Sequence, residues 1–163
     1  MKTLYIVRHA KSSWNHPELS DEERPLLEKG KKRTKKIIDY LQQKEIKPDL
    51  IISSHAVRAL ETAKIIAHGL NYPSGNIQVS RQVYHASADN LYDQFFDLRD
   101  DVDNLMIVGH NPALTNFANH FLHEKIEWLP TSGVVSVSFN TRIWMNLPVA
   151  EPTTNFIIYP KML

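Results

Sequence analysis

Three runs of consecutive apolar residues, each ending near a cation or an imidazole, constrain this chain more than anything else in it. Leu4-Tyr5-Ile6-Val7 runs into Arg8-His9, and Leu50-Ile51-Ile52 runs into Ser53-Ser54-His55-Ala56-Val57-Arg58. Leu105-Met106-Ile107-Val108 runs into Gly109-His110-Asn111-Pro112. Apolar residues at successive positions read as strands covered on both faces, the pattern of a parallel sheet between helices. In open α/β sheets, ligands bind in the crevice outside the carboxyl ends of the strands. Arg8, His9, Arg58 and His110 are therefore delivered to one edge, where two arginines and two imidazoles suit an anion and best of all a phosphoryl group.

The segments between the runs are helical in period. Ile37, Ile38 and Leu41 form the apolar stripe of a helix from about Leu26 to Gln43, with lysines on its wet side. Ala56, Leu60, Ala63, Ala67 and Leu70 mark a second helix, Leu91, Phe95 and Leu98 a third, and Leu114, Phe117 and Phe121 a fourth. Ile77-Gln78-Val79 reads as a short edge strand. Beyond Pro130 the period changes to two, with Val135, Val137 and Phe139 alternating with Ser136 and Ser138. Trp144 to Leu147 and Phe156 to Tyr159 read as short closing strands. Alternating strands and helices predict a three-layer α/β/α fold with a central, mostly parallel sheet, as one domain over residues 1–163.

Composition excludes several classes. With 19 basic and 18 acidic residues, the net charge of +1 gives no overall field for nucleic acid or an anionic membrane. The basic run Lys29, Lys31, Lys32, Arg33, Lys35 and Lys36 and the acidic run Asp89 to Asp103 read as solvated helix faces of opposite sign. The absence of cysteine excludes disulfides, a thiolate nucleophile and zinc knuckles. The first apolar stretch is too short for a signal-peptide core, and nothing approaches a membrane span, so a cytoplasmic protein is expected.

Phosphoryl transfer is largely positioning plus charge stabilisation. The chain has neither a carboxylate cluster with metal-ligand spacing nor a phosphate loop of the G-x-x-x-x-G-K-[ST] kind. No metal or cofactor is therefore expected. Arg8 and Arg58 can take the place of a metal cation, because a guanidinium grips two phosphate oxygens at once and stays charged. No serine or threonine here sits beside an evident base, whereas a neutral imidazole attacks phosphorus without activation. Flanking cations should depress the pKa of His9, and its second nitrogen should donate to a carbonyl that fixes the tautomer.

The three motifs resemble those of the histidine phosphatase superfamily, most of all its short, SixA-type phosphohistidine phosphatase branch, which has a phosphoglycerate-mutase-like fold. The similarity runs through Leu4 to Ala10, Asp21-x-x-Arg24-Pro25-Leu26 with Gly30, Ser53 to Ala63, Val108 to Pro112 and Pro130-Thr131-Ser132-Gly133. The resemblance implies His9 as the nucleophile that becomes phosphorylated and Arg8, Arg58 and His110 as the phosphate pocket. It also implies Asp21 as a candidate general acid and Arg24 as an extra phosphate contact.

The departures are informative. Larger members of the family supply a glutamate acid from the segment after the second arginine, but Gln82-Val83-Tyr84-His85-Ala86 holds no carboxylate. That argues against mutase activity and vigorous hydrolysis of alkyl phosphates, whose leaving groups need a proton. A phosphohistidine-bearing protein suits such a site better, and the 51 residues between Arg58 and His110 (59–109) leave little room for a lid. His55 replaces a proline common in the short branch, and Leu27 replaces a frequent capping threonine, leaving Ser20 and Glu23 as candidate caps. His55 and His85 read as incidental, Thr131 and Ser132 as turn residues, and Trp14, Trp128 and Trp144 as core or rim packing. Two alternatives stand beside a monomeric phosphohistidine phosphatase: a phosphatase of a small phosphorylated metabolite, and a phosphate-binding regulatory module without turnover.

Overall fold

The computed structural model describes residues 1–163. Its strands are β1 (Lys2–Arg8), β2 (Leu50–Ser54), β3 (Gln78–Ser80), β4 (Asn104–Gly109), β5 (Val134–Phe139) and β6 (Pro152–Ile158). They form one sheet in the order β3-β2-β4-β1-β5-β6. The pairs β3–β2, β2–β4 and β4–β1 are parallel, while β5 runs antiparallel to both β1 and β6. Five of the six strands thus point the same way, and the expected mostly parallel sheet is present.

The consecutive apolar runs divide between the two faces as the pleat requires. Leu4, Ile6, Ile52, Leu105 and Ile107 point to one face, where they pack with Leu91 of α3 (Ala88–Asp93) and Leu114 and Phe117 of α4 (Ala113–Asn119). Tyr5, Val7, Ile51, Met106 and Val108 point to the other, against Ile37, Ile38 and Leu41 of α1 (Glu28–Gln43) and Ala59, Ala63, Ile66 and Ala67 of α2 (Val57–Gly69). This gives the three layers, in the phosphoglycerate-mutase-like arrangement.

Several local expectations shift. Trp144 to Leu147 is not a strand but the start of a 3-10 helix, Trp144–Val149, containing Pro148. Its indole is buried and donates from Nε1 to Val102 O (2.6 Å), so burial and a single anchoring bond replace sheet pairing. The buried stripe of α2 is Ala59, Thr62, Ala63, Ile66 and Ala67, with Leu60 only half-buried, because the helix rolls Thr62 and Arg58 inward. The helix on the acidic segment ends at Asp93, and Phe95 reaches the core from the turns beyond it. Glu23 accepts from the backbone N and Oγ of Ser20, but this caps the 3-10 turn Asp21–Glu23 and leaves Leu27, ahead of α1, without a side-chain cap.

Candidate active site

The register of the parallel strands assembles the site. Arg8 lies opposite Gly109 across β1 and β4, so His9 and His110 leave the sheet side by side, and His9 N donates to Gly109 O (3.0 Å). Their rings stand 5.2 Å apart between centroids. Arg58 enters from the first turn of α2, buried among these groups rather than exposed on the helix surface. An arginine there opposes the helix dipole, and the Asp21 carboxylate meets its charge. Arg8, His9, Asp21, Arg24, Arg58 and His110, the six residues singled out in the sequence, all line one open pocket of about 550 Å³.

The imidazoles are held in defined states. His9 Nδ1 bonds to Ala10 O (2.7 Å), which fixes Nδ1 as the protonated nitrogen and leaves Nε2 as a lone-pair nitrogen. Burial first, then the charges of Arg58, Arg8 and Arg24, lowers the pKa of His9 to about 4 against the opposing pull of Ala10 O. His110 Nε2 pairs with Ser54 Oγ (2.8 Å), and burial, followed by His9 and Arg58, lowers its pKa to about 3. Both rings are uncharged at neutral pH.

Asp21 bridges the cations. Its Oδ2 accepts from Arg58 Nη2 (2.9 Å) and from the Tyr84 hydroxyl, its Oδ1 accepts from Arg24 Nη1 (2.9 Å), and its carbonyl accepts from Arg58 Nη1 (2.6 Å). Burial pushes its carboxyl pKa up, but Tyr84, Arg24 and Arg58 together outweigh that and hold it well below the usual carboxylate range. Arg24 is fully engaged, with Nε on Ser13 O and Nη2 on Ser12 Oγ, and Trp14 lies 3.3 Å from its guanidinium carbon. Trp128 stands beside Arg8 in the same way at 5.7 Å, so these two tryptophans are exposed rim residues while Trp144 is core.

Arg8 Nε, Arg58 Nε and His110 Nδ1 are buried and have no hydrogen-bond partner. Buried polar atoms are almost always satisfied. Three exceptions on residues lining one pocket mark a place built to receive acceptor oxygens.

Sequence reasoning missed the groups that lock this geometry. Thr62 Oγ1 accepts from Ala10 N (2.9 Å) and donates to Arg58 O (2.7 Å), tying the loop after β1 to α2. Ser132, at φ 59°, donates from its backbone N to the carbonyls of Arg8 and His9 (both 3.1 Å), and its hydroxyl meets Thr34 Oγ1 (2.8 Å). Thr62 and Ser132 fall inside the quoted motifs, so their presence was visible although their partners were not. Tyr84 carried no signal of its own. His55 Nε2 lies 3.0 Å from Glu22 Oε2 without hydrogen-bond geometry, and His85 lines the pocket.

Comparison with known proteins agrees with this arrangement. The family described as the histidine phosphatase superfamily (branch 1) matches residues 4–81. An uncharacterized chloroplastic protein of Arabidopsis thaliana is 28% identical over 120 residues, 68% of this chain, which spans about half (54%) of that relative's length. Among solved structures, a candidate phosphohistidine phosphatase SixA from Agrobacterium tumefaciens superposes with a TM-score of 0.81 at 25% identity, over 98% of both chains. The protein histidine phosphatase SixA in complex with tungstate gives a TM-score of 0.82 at 19% identity, again over 98% of both chains. The order of the three motifs along the sheet edge and the end-to-end superposition agree: the chain has the fold of the SixA-type histidine phosphatases, and over residues 4–81 its sequence is similar to the histidine phosphatase superfamily.

Proposed function

We propose that the protein dephosphorylates phosphohistidine on other proteins, without a metal, through a phosphorylated His9. The observation that carries this is the state of His9. Its Nε2 keeps a free lone pair because Nδ1 is committed to Ala10 O and burial disfavours protonation. Around it, Arg8, Arg58 and His110 offer the unpartnered atoms Nε, Nε and Nδ1 to phosphate oxygens. Tungstate, a phosphate-shaped oxyanion, is bound by a structural neighbour of the same fold. Two guanidiniums supply the charge that a bound cation supplies in metal-dependent phosphoryl transfer.

The anion would displace Asp21 from Arg58 and pull a proton onto His110, giving the phosphate one more donor. Arg24 reaches the phosphate only once Asp21 lets go. A phosphohistidine substrate suits this site because its imidazole departs neutral once the remote ring nitrogen is protonated, so the first step asks little of an acid. The open mouth, with the exposed Trp14 on its lining, admits a side chain carried on a protein surface.

The test is phosphate release from a phosphohistidine-bearing protein domain in EDTA, beside a panel of small phosphomonoesters. Fast loss from phosphohistidine and slow turnover of the esters are expected, both abolished in His9→Ala, with vanadate affinity only modestly reduced. One ester outpacing the phosphoprotein would make this a metabolite phosphatase. Wild-type turnover in His9→Ala would refute the nucleophile.

A further inference from the structure

We propose that His85 is the proton-transfer residue of this site, giving a proton to the departing group and then taking one from the water that hydrolyses phosphorylated His9. This rests on the reading of His9 as nucleophile and adds a residue that the motifs do not mark.

In phosphoryl transfer the attacking and leaving atoms lie roughly in line through phosphorus. His9 attacks from the buried floor, so the leaving group must point outward to the mouth. His85 is exposed and lines both the main pocket and the small cleft beside it formed with Arg58, Tyr84 and Asn111. Its backbone sits at φ 52°, a left-handed conformation uncommon for a residue with a side chain, and its ring lies 4.0 Å from that of Tyr84 between centroids. Backbone held at such an angle persists only where its surroundings fix it, and it clusters at functional sites.

Elimination leads to the same residue. The arginines do not release protons at neutral pH. Asp21 is ionised, and both its oxygens are engaged by Arg24, Arg58 and Tyr84. His110 is buried, and the proton that the bound anion draws onto it is held by a phosphate oxygen. Lys11 could donate to an alkoxide but could not recover a proton from water at neutral pH. Imidazole is the side chain that exchanges protons in that range in both directions. The charged and titratable groups that line these two cavities with His85 are Arg8 at the end of β1, His9 and Lys11 after it, Asp21 and Arg24 at the 3-10 turn, Arg33 on α1, Arg58 on α2, His110 after β4, and the adjoining Tyr84.

The steps balance. With an ester, His9 Nε2 bonds to phosphorus, the P–O bond to the alcohol breaks, and the alkoxide takes the His85 proton. Water then attacks phosphorus, His85 takes its proton, the N–P bond breaks, and His9 returns neutral. Ester plus water becomes alcohol plus phosphate, and His85 ends as it began.

The test compares wild type with His85→Asn, which tolerates the left-handed backbone but cannot exchange a proton, and His85→Glu, which can. Rapid mixing with nitrophenyl phosphate, whose phenolate leaves unaided, should show a first turnover in His85→Asn within a few-fold of wild type. The steady state that follows should fall by about a hundredfold or more, as should the first turnover of an alkyl phosphate. His85→Glu should restore both, with its optimum moved to lower pH. Equal loss of every phase, no loss, or a pH profile unchanged in His85→Asn would overturn the proposal. His9→Ala should lose the first turnover of both substrates. A first turnover retained there would refute the His9 reading instead and leave the His85 comparison to stand on its own phases.

Discussion

His9 and His110 make the site sensitive to acid because the fold keeps both neutral. Their folded pKa values lie near 4 and 3, below the ordinary imidazole value of 6.5, so the unfolded chain binds more protons as the pH falls. Their stabilisation is complete above pH 6.5 and is lost as the pH drops from there through 4. For His9 alone the loss is of order 3 kcal/mol. Asp21 contributes in a separate window, since a depressed carboxylate loses its stabilisation only below its unfolded value of 3.8. Urea melts between pH 7 and 4 should therefore show falling stability, with a smaller slope in saturating phosphate, which favours the protonated His110. A slope unchanged in His110→Asn would remove His110 from this account. Arg8, His9, Arg58 and His110 were readable in the sequence because each follows a run that can only be a buried strand or its helix. The clasp of Asp21 on two arginines and Tyr84 was not readable, since it joins positions 21, 24, 58 and 84 through contacts that no local pattern records.

The start of α1 packs against the loop that carries His9 out of the sheet. Gly30 packs there against the loop after His9, where an added Cβ would fall 2.4 Å from Lys11 O, and Leu27 N donates to that same oxygen (3.0 Å). An alanine ordinarily gains up to about 1 kcal/mol over glycine inside a helix. At Gly30 that gain is outweighed by overpacking against backbone, which costs about 1–3 kcal/mol. Gly30→Ala should therefore lower the melting temperature and weaken vanadate binding together, because the displaced loop carries His9. Gly75→Ala, with nothing within 4 Å of its Cβ, should change neither. Vanadate affinity retained in a destabilised Gly30→Ala would separate helix packing from the site. Helix α1 shows which elements a sequence discloses. Its stripe of Ile37, Ile38 and Leu41 fixed its buried face correctly, whereas the segment Trp144 to Leu147, which reads as a short closing strand, was taken out of the sheet by Pro148 and the buried indole.

Over the whole molecule, a net charge of +1 conceals a division between the two ends of the strands. At the carboxyl ends, Arg8, Lys11, Arg24, Arg33 and Arg58 line the pocket against one carboxylate, Asp21, and Lys36 and Lys161 extend this surface into an adjoining depression that shares Arg33 and Thr131. Lys29 and Arg33 crowd Lys11 closely enough to lower its pKa, a sign of like charges gathered without acidic partners. At the amino ends, Asp49, Asp97 and Asp101 line a separate depression against one cation, Arg99, and Asp103, paired with Lys2, precedes β4. A field so divided attracts anions to the pocket edge and raises their encounter rate. It is screened over about 8 Å at physiological ionic strength. Accordingly, kcat/KM for a phosphorylated protein should fall steeply as salt rises, while kcat stays nearly constant because the groups within the pocket are partly shielded from ions. Lys36→Glu should lower kcat/KM severalfold at low salt, and the difference from wild type should close at high salt. Lys47→Glu, an equal charge change at the amino end of β2, should have little effect, because it lies outside the surface that meets the substrate. If the two reversals cost the same, net charge alone would govern encounter. If neither cost anything, the cations around the mouth would have no part in capture, and the arginines inside the pocket would account for all of the anion selectivity.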